Sequence, residues 1–176
     1  MKNLLFLLTV LLTLSCCNND DDSAASLPPE TQTGANTVGC LVNGKVFLPH
    51  AEGINSPVNC FYQFVNGEFF FTMNFADLRG TGFKEVFIQT GRINIESAET
   101  YLLNKNPIDD GDYTGGGGYS TSLTNNYYTN IIRTGELTIT RVDLQNSIIS
   151  GTFWFDAINE AGEIVEIREG RFDWNY

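Results

Sequence analysis

Past residue 36 the chain alternates short β-rich runs with turn residues, and no window of eleven residues carries a convincing helical period. The cleanest run is Glu68 to Ala76. Phe69, Phe71, Met73 and Phe75 fall on one parity; Phe70, Thr72, Asn74 and Ala76 fall on the other. A period of two marks a strand with one buried face. Cys60 to Val65 precedes it across Asn66-Gly67, and Val38 to Asn43 meets Lys45 to Leu48 across Asn43-Gly44. Asn-Gly suits the two-residue turns in which both residues take positive φ, so two hairpins are predicted. Glu85 to Thr90, Ile93 to Ile95 and Thr100 to Leu103 read as further strands. Pro107 to Gly118, with Asp109, Asp110, Gly111, Asp112 and four consecutive glycines, reads as loop.

The last third patterns most clearly. Gly135 to Asp143 places Leu137 and Ile139 on one face, and Ser147 to Ile158 does the same with Ile149, Phe153, Phe155 and Ala157. Glu163 to Tyr176 returns after the turn Asn159-Glu160-Ala161-Gly162. Its apolar sets conflict: Val165 and Ile167 have one parity, Phe172, Trp174 and Tyr176 the other. A continuous strand cannot bury both on one face. The expected remedy is a β-bulge at Glu169-Gly170, with the glycine at positive φ. About ten strands at hairpin spacing predict an all-β antiparallel β-sandwich, with a closed calyx-like β-barrel as the alternative.

The N-terminal end has a different pattern. Lys2 is followed by the apolar run Leu4 to Leu14, then Ser15, Cys16, Cys17 and Asn18 to Asp22. Eleven helical residues rise about 16 Å, too short for a hydrocarbon core of about 30 Å. The run reads as an export signal. Its terminal cysteine makes it resemble a bacterial lipoprotein signal. That resemblance implies cleavage before a lipidated cysteine: Cys16, preceded by the small Ser15, with Cys17 as the alternative. Two or more acyl chains anchor stably, at about 0.8 kcal/mol per buried methylene. The expected organisation is a signal peptide over 1–15, a lipidated cysteine and flexible acidic tether over 16–36, and a single β domain over 37–176. The tether expectation follows from composition, since Leu27 is the only large apolar residue between 18 and 36.

The mature chain carries nine basic and twenty-one acidic residues, a net charge of −12. Such an excess disfavours nucleic acid and anionic lipid surfaces as partners. The cluster Asp20 to Asp22 resembles the surface-export signal of Bacteroidetes lipoproteins, which implies the outer membrane and the cell surface; the alternative is the periplasmic face. The C-terminal run GELTITRVDLQNSIISGTFWFDAINEAGEIVEIREGRFDWNY and the earlier NTVGCLVNGKVFLP resemble the meander and opening hairpin of an uncharacterised lipoprotein domain family of Flavobacteria and other Bacteroidetes. The resemblance implies a fold and a location, and no catalytic residues or cofactor.

Candidate chemistry is sparse. Cys40 and Cys60 lie twenty residues apart in strand-like runs of an exported domain, which predicts a disulfide worth about 3 kcal/mol. His50 is the sole histidine, and no nucleophile elbow accompanies it. Asp156, Glu160, Glu163, Glu166 and Glu169 are numerous enough for glycoside chemistry, but Glu163 to Glu169 alternate as a wet face does. Asp109, Asp110 and Asp112 are weak calcium candidates without a closing glutamate. Tyr113, Tyr119, Tyr127 and Tyr128 flank the glycine run and are candidates for binding a glycan or a protein. The expected function is a non-catalytic, membrane-anchored binding or structural accessory module. The alternatives are a barrel carrying a small apolar ligand and, as a minor one, a hydrolase.

Overall fold

The computed structural model describes residues 26–80, 82–91, 93–108 and 115–176. Eleven strands form one open antiparallel sheet: β1 (Thr37–Val42), β2 (Lys45–Phe47), β3 (Val58–Val65), β4 (Glu68–Asp77), β5 (Lys84–Gly91), β6 (Glu99–Leu103), β7 (Gly116–Ser120), β8 (Asn126–Tyr128), β9 (Gly135–Asp143), β10 (Ile148–Ile158) and β11 (Ile164–Asn175). The pairing path is β2-β1-β11-β10-β8-β7-β5-β4-β3, with β9 on β10 and β6 on β9. The outermost strands β2 and β3 do not pair, so the closed barrel alternative is not realised. The sheet instead folds over into two layers. Phe71 of β4 stacks on Phe172 of β11 at 5.7 Å between ring centroids, and Phe75 meets Phe153 of β10 at 6.3 Å.

The alternating apolar positions supply the core. Phe71, Met73, Phe75, Leu137, Ile139, Ile149, Phe155 and Ala157 are wholly buried. Each large side chain so buried contributes about 1.5–3 kcal/mol of transfer free energy. Both Asn-Gly hairpins form as predicted, with φ of 48° and 76° at Asn43 and Gly44, and 53° and 91° at Asn66 and Gly67. Among the described residues no helix is long and apolar enough to cross a membrane.

The bulge forms where parity demanded it, with different residues in its two roles. Phe153 faces Gly170 and Phe155 faces Ile167, so Arg168 and Glu169 together oppose Trp154. Val165, Ile167, Gly170 and Phe172 are all buried as a result. The residue at positive φ is Glu169, at 51°, and not Gly170. Gly170 is required for space: a Cβ there would lie 2.5 Å from the Phe153 ring.

Four other expectations need correction. Gly116 to Gly118, expected as loop, are buried strand β7. A Cβ on Gly117 would meet the Phe155 ring at 2.9 Å, and one on Gly118 the Phe87 ring at 2.4 Å. The glycines let aromatic rings lie on the strand; they do not break it. Ile93 to Ile95 is no strand, although Ile95 is buried and its N–H donates to Tyr62 Oη at 3.2 Å. Cys40 and Cys60 are free thiols and not a disulfide. They sit on β1 and β3, in different arms of the strand path, so the hairpins that carry them are not sheet neighbours.

The fourth is the segment over 27–36, expected within the tether, which is strapped to the domain. The carboxylate of Asp173 on β11, 1% exposed, organises it. Asp173 accepts hydrogen bonds from Thr31 Oγ1 at 2.7 Å, Thr33 N at 2.8 Å, Gly34 N at 2.8 Å and Ala35 N at 3.1 Å. Ser150 Oγ, buried on β10, donates from the other side at 2.7 Å. Arg141 donates to the Gln32 carbonyl, and Asn175 N donates to Asn36 Oδ1 at 3.0 Å.

Candidate functional site

Three segments meet at the end of the sandwich where β10 turns into β11. The first is the β7–β8 hairpin. Thr121 N closes it on the Asn125 carbonyl at 3.0 Å, and Ser122 Oγ accepts from Asn125 N at 3.1 Å. The second is the segment around Asn106. Thr129 clamps it: the buried hydroxyl donates to the Lys105 carbonyl at 2.6 Å and accepts from Gly117 N at 3.0 Å. The third is the β10–β11 turn, where Gly162 takes φ 83° and Asn159 Oδ1 accepts from Glu163 N at 2.9 Å.

Between them lies a cleft of about 540 Å³. Asn106, Asn125, Asn126, Asn130 and Asn159 line it, with Tyr128 as its aromatic wall. One residue cross-braces two of the segments. Asn159 Nδ2 donates to Asn125 Oδ1 at 3.0 Å and to Glu163 Oε2 at 2.8 Å. Asn125 in turn donates from Nδ2 to Thr121 Oγ1 at 3.0 Å. Tyr128 meets Phe87 edge-on at 6.2 Å, and burial pushes its phenol above the ordinary range.

The sequence-predicted site residues scatter. Tyr119 is buried in the core, edge-on to Phe47 at 6.2 Å, and offers no binding surface. Tyr127, adjacent to Tyr128 on a strand and so of opposite parity, donates to Glu163 Oε2 at 3.0 Å. Tyr128 alone of the described tyrosine candidates lines the cleft. Tyr113, Asp109, Asp110, Asp112, Cys16 and Cys17 lie outside the described residues. Among the described residues no three His, Cys, Asp or Glu side chains come together as a metal site.

The carboxylates are largely engaged. Asp156 accepts from Arg168 at 2.6 Å, and Glu163 holds Tyr127 and Asn159. Glu160 is the one carboxylate among the described residues lining the cleft. His50 stands at a bridge with Asp77, its Nδ1 2.9 Å from the Leu48 carbonyl and 3.9 Å from Asp77. The Arg79 guanidinium, 2.7 Å from Asp77, holds that carboxyl down at about 2. A second groove of about 300 Å³ crosses the bulge beside Trp154. Its polar groups are turned on one another: Trp154 Nε1 donates to Glu136 at 3.3 Å, and Arg171 pairs with Glu169 at 3.2 Å.

Sequence reasoning singled out the tyrosines and passed over the asparagines. The run Asn125-Asn126-Tyr127-Tyr128-Thr129-Asn130 carried the signal, since amides alternating with an aromatic are a hydrogen-bonding wall once one face is exposed.

Fold and cleft together define a small all-β sandwich domain with a polar, amide-lined site at one end. The chain belongs to a family described as a domain of unknown function (DUF6252), matched over residues 80–173. That span holds β5 to β10, most of β11 and the whole cleft, and leaves the opening hairpin outside. No curated protein and no solved structure matches the chain.

Proposed function

We propose that this protein is a lipid-anchored, non-catalytic binding module of a bacterial outer membrane, displayed at the cell surface through Cys16. The amide-lined cleft carries the binding part of the reading. It is braced before any ligand arrives, and the one carboxylate that lines it among the described residues, Glu160, has no second carboxylate there to share acid–base chemistry. The filled two-layer core speaks against an internal apolar ligand. The lipoprotein-like N-terminus, the acidic residues after it and the resemblance to Bacteroidetes lipoproteins support the anchor and the location. The test is fractionation of cells expressing the full chain. The wild type should partition with membranes and be shaved by external protease, and Cys16→Ala should release it. Retention of Cys16→Ala with release of Cys17→Ala moves the lipid to the alternative cysteine. Retention of the double variant overturns the anchor.

A further inference from the structure

We infer that the loop-end cleft is a site for a neutral carbohydrate chain, an inference that rests on the binding reading above. The lining chemistry narrows the ligand by exclusion. Among the described residues no lysine or arginine lines the cleft, and the whole chain carries a net charge of −11, so an anionic ligand finds no counter-charge. Among the described residues a cation meets the single carboxylate of Glu160, short of the six or more oxygens that a calcium ion takes. A wholly apolar ligand would desolvate the asparagine amides without replacing their hydrogen bonds. What remains is a ligand that is uncharged, rich in hydroxyls and equipped with one apolar face.

The geometry suits that class. Neighbouring hydroxyls on a sugar ring each donate and accept, and a carboxamide offers one acceptor beside two donors. The free valences are present. Asn106 and Asn130 use only Oδ1 locally, accepting from Ile108 N at 3.2 Å and from Ile132 N at 2.8 Å. Asn126 uses only Nδ2, toward the Leu123 carbonyl at 3.4 Å. Two Nδ2 groups and one Oδ1 therefore stand at the cleft without a protein partner among the described residues. Tyr128 shares its strand face with Asn126, and Phe87 fixes its ring from one edge. The C–H face of a pyranose can lie on such a ring while its hydroxyls meet the amides. Bracing by Asn159 and Asn125 reduces the ordering cost of binding. A volume of about 540 Å³ falls in the ordinary range of small-ligand sites.

The test titrates the full chain, in detergent micelles, with neutral oligosaccharides. Maltohexaose, cellohexaose and mannohexaose represent soluble polysaccharides; chitohexaose represents the amino-sugar backbone of a cell wall. An oligogalacturonate serves as the charged comparison, and calorimetry is the readout. Saturable binding of at least one neutral chain is expected, and the arm that binds identifies the source. Tyr128→Leu removes the ring while keeping an apolar side chain beside Phe87, and should weaken binding about tenfold. Ala161→Arg sits on the exposed turn at the rim, should leave the circular dichroism unchanged, and should occlude the cleft and abolish binding. No saturable binding by any neutral chain, preference for the oligogalacturonate, or binding untouched by both variants overturns the proposal. Ala161→Arg that disrupts a cross-linked protein partner while all sugars are ignored overturns the carbohydrate and keeps the binding module. Anchoring is read separately by fractionation.

Discussion

Replacing Asp173 tests the strap most sharply. Its carboxylate is 1% exposed and receives three backbone N–H groups and three hydroxyls, those of Thr31, Thr33 and Ser150, at 2.7–3.3 Å. A hydrogen bond to a charged group nets about 1.5–3 kcal/mol, and bonds sharing two oxygens are not additive. Asp173→Ala also leaves the buried Ser150 hydroxyl without its acceptor, while the strap amides regain water as the segment lifts. The cost should be about 3–5 kcal/mol, a large part of a typical stability of about 5–15 kcal/mol. Asp173→Asn keeps one acceptor but aims an amide donor at other donors, and should cost about 2–4 kcal/mol. Urea unfolding of the full chain at neutral pH measures both, and hydrogen exchange at Thr33, Gly34 and Ala35 reports the strap itself. The pH dependence adds an independent check. Burial pushes the carboxyl up, but the bonds from Thr31, Thr33, Ser150 and Ala35 outweigh it and hold it well below the usual range. A folded-state pKa below the unfolded value of about 3.9 gives stability that is present above about pH 4 and lost as pH falls below it. Asp173→Asn should make this acid limb shallower by the share of one carboxylate, leaving the part due to Asp77 and Asp143, both held at about 2. A loss under about 1 kcal/mol in Asp173→Ala, with unchanged exchange in the strap, would refute the reasoning.

Further outcomes follow from the bulge, the thiols and one orphaned hydroxyl. Gly170→Ala drives a Cβ into the Phe153 ring and should cost about 1–3 kcal/mol in thermal unfolding, whereas Glu169→Gly relieves a left-handed φ and should be neutral or stabilise by up to about 1 kcal/mol. Equal effects of the two would reject the division of roles. Cys40 and Cys60 should both alkylate in unfolded, unreduced protein; in the native state burial pushes the Cys60 thiol up to about 12 and Cys40 higher still, so both should react slowly. Thr90 Oγ1 is buried without a partner among the described residues, so Thr90→Val should raise stability by about 1 kcal/mol, and a loss would reveal a hidden bond.

The fold was legible where local chemistry and global packing agree. Asn43-Gly44 and Asn66-Gly67 specify their hairpins by conformation alone, and the parity conflict between Ile167 and Phe172 forced the bulge. Which residue absorbs the positive φ was not legible. Gly170 has no side chain because the Phe153 ring occupies that space, and Glu169 takes the strain. The same confusion between glycine as hinge and glycine as clearance turned β7 into an expected loop; the rings that need the clearance, Phe87 and Phe155, come from other strands. The strap lacks apolar residues, and its anchor lies 138 to 142 residues away at Asp173. The disulfide expectation failed because spacing in sequence carries no strand order. Of the site, Tyr128 was named in advance. The asparagines were not, because in sequence an asparagine in a turn looks the same whether both ends of its amide close the turn or one end points into a cleft.

Intact-mass spectrometry of the protein extracted from bacterial membranes tests the anchored module most directly. The account predicts a chain beginning at Cys16, lacking residues 1–15 and carrying the added mass of a diacylglyceryl group and an N-acyl chain. A soluble chain with an unmodified N-terminus, or a membrane form that keeps Met1 to Ser15, would contradict it.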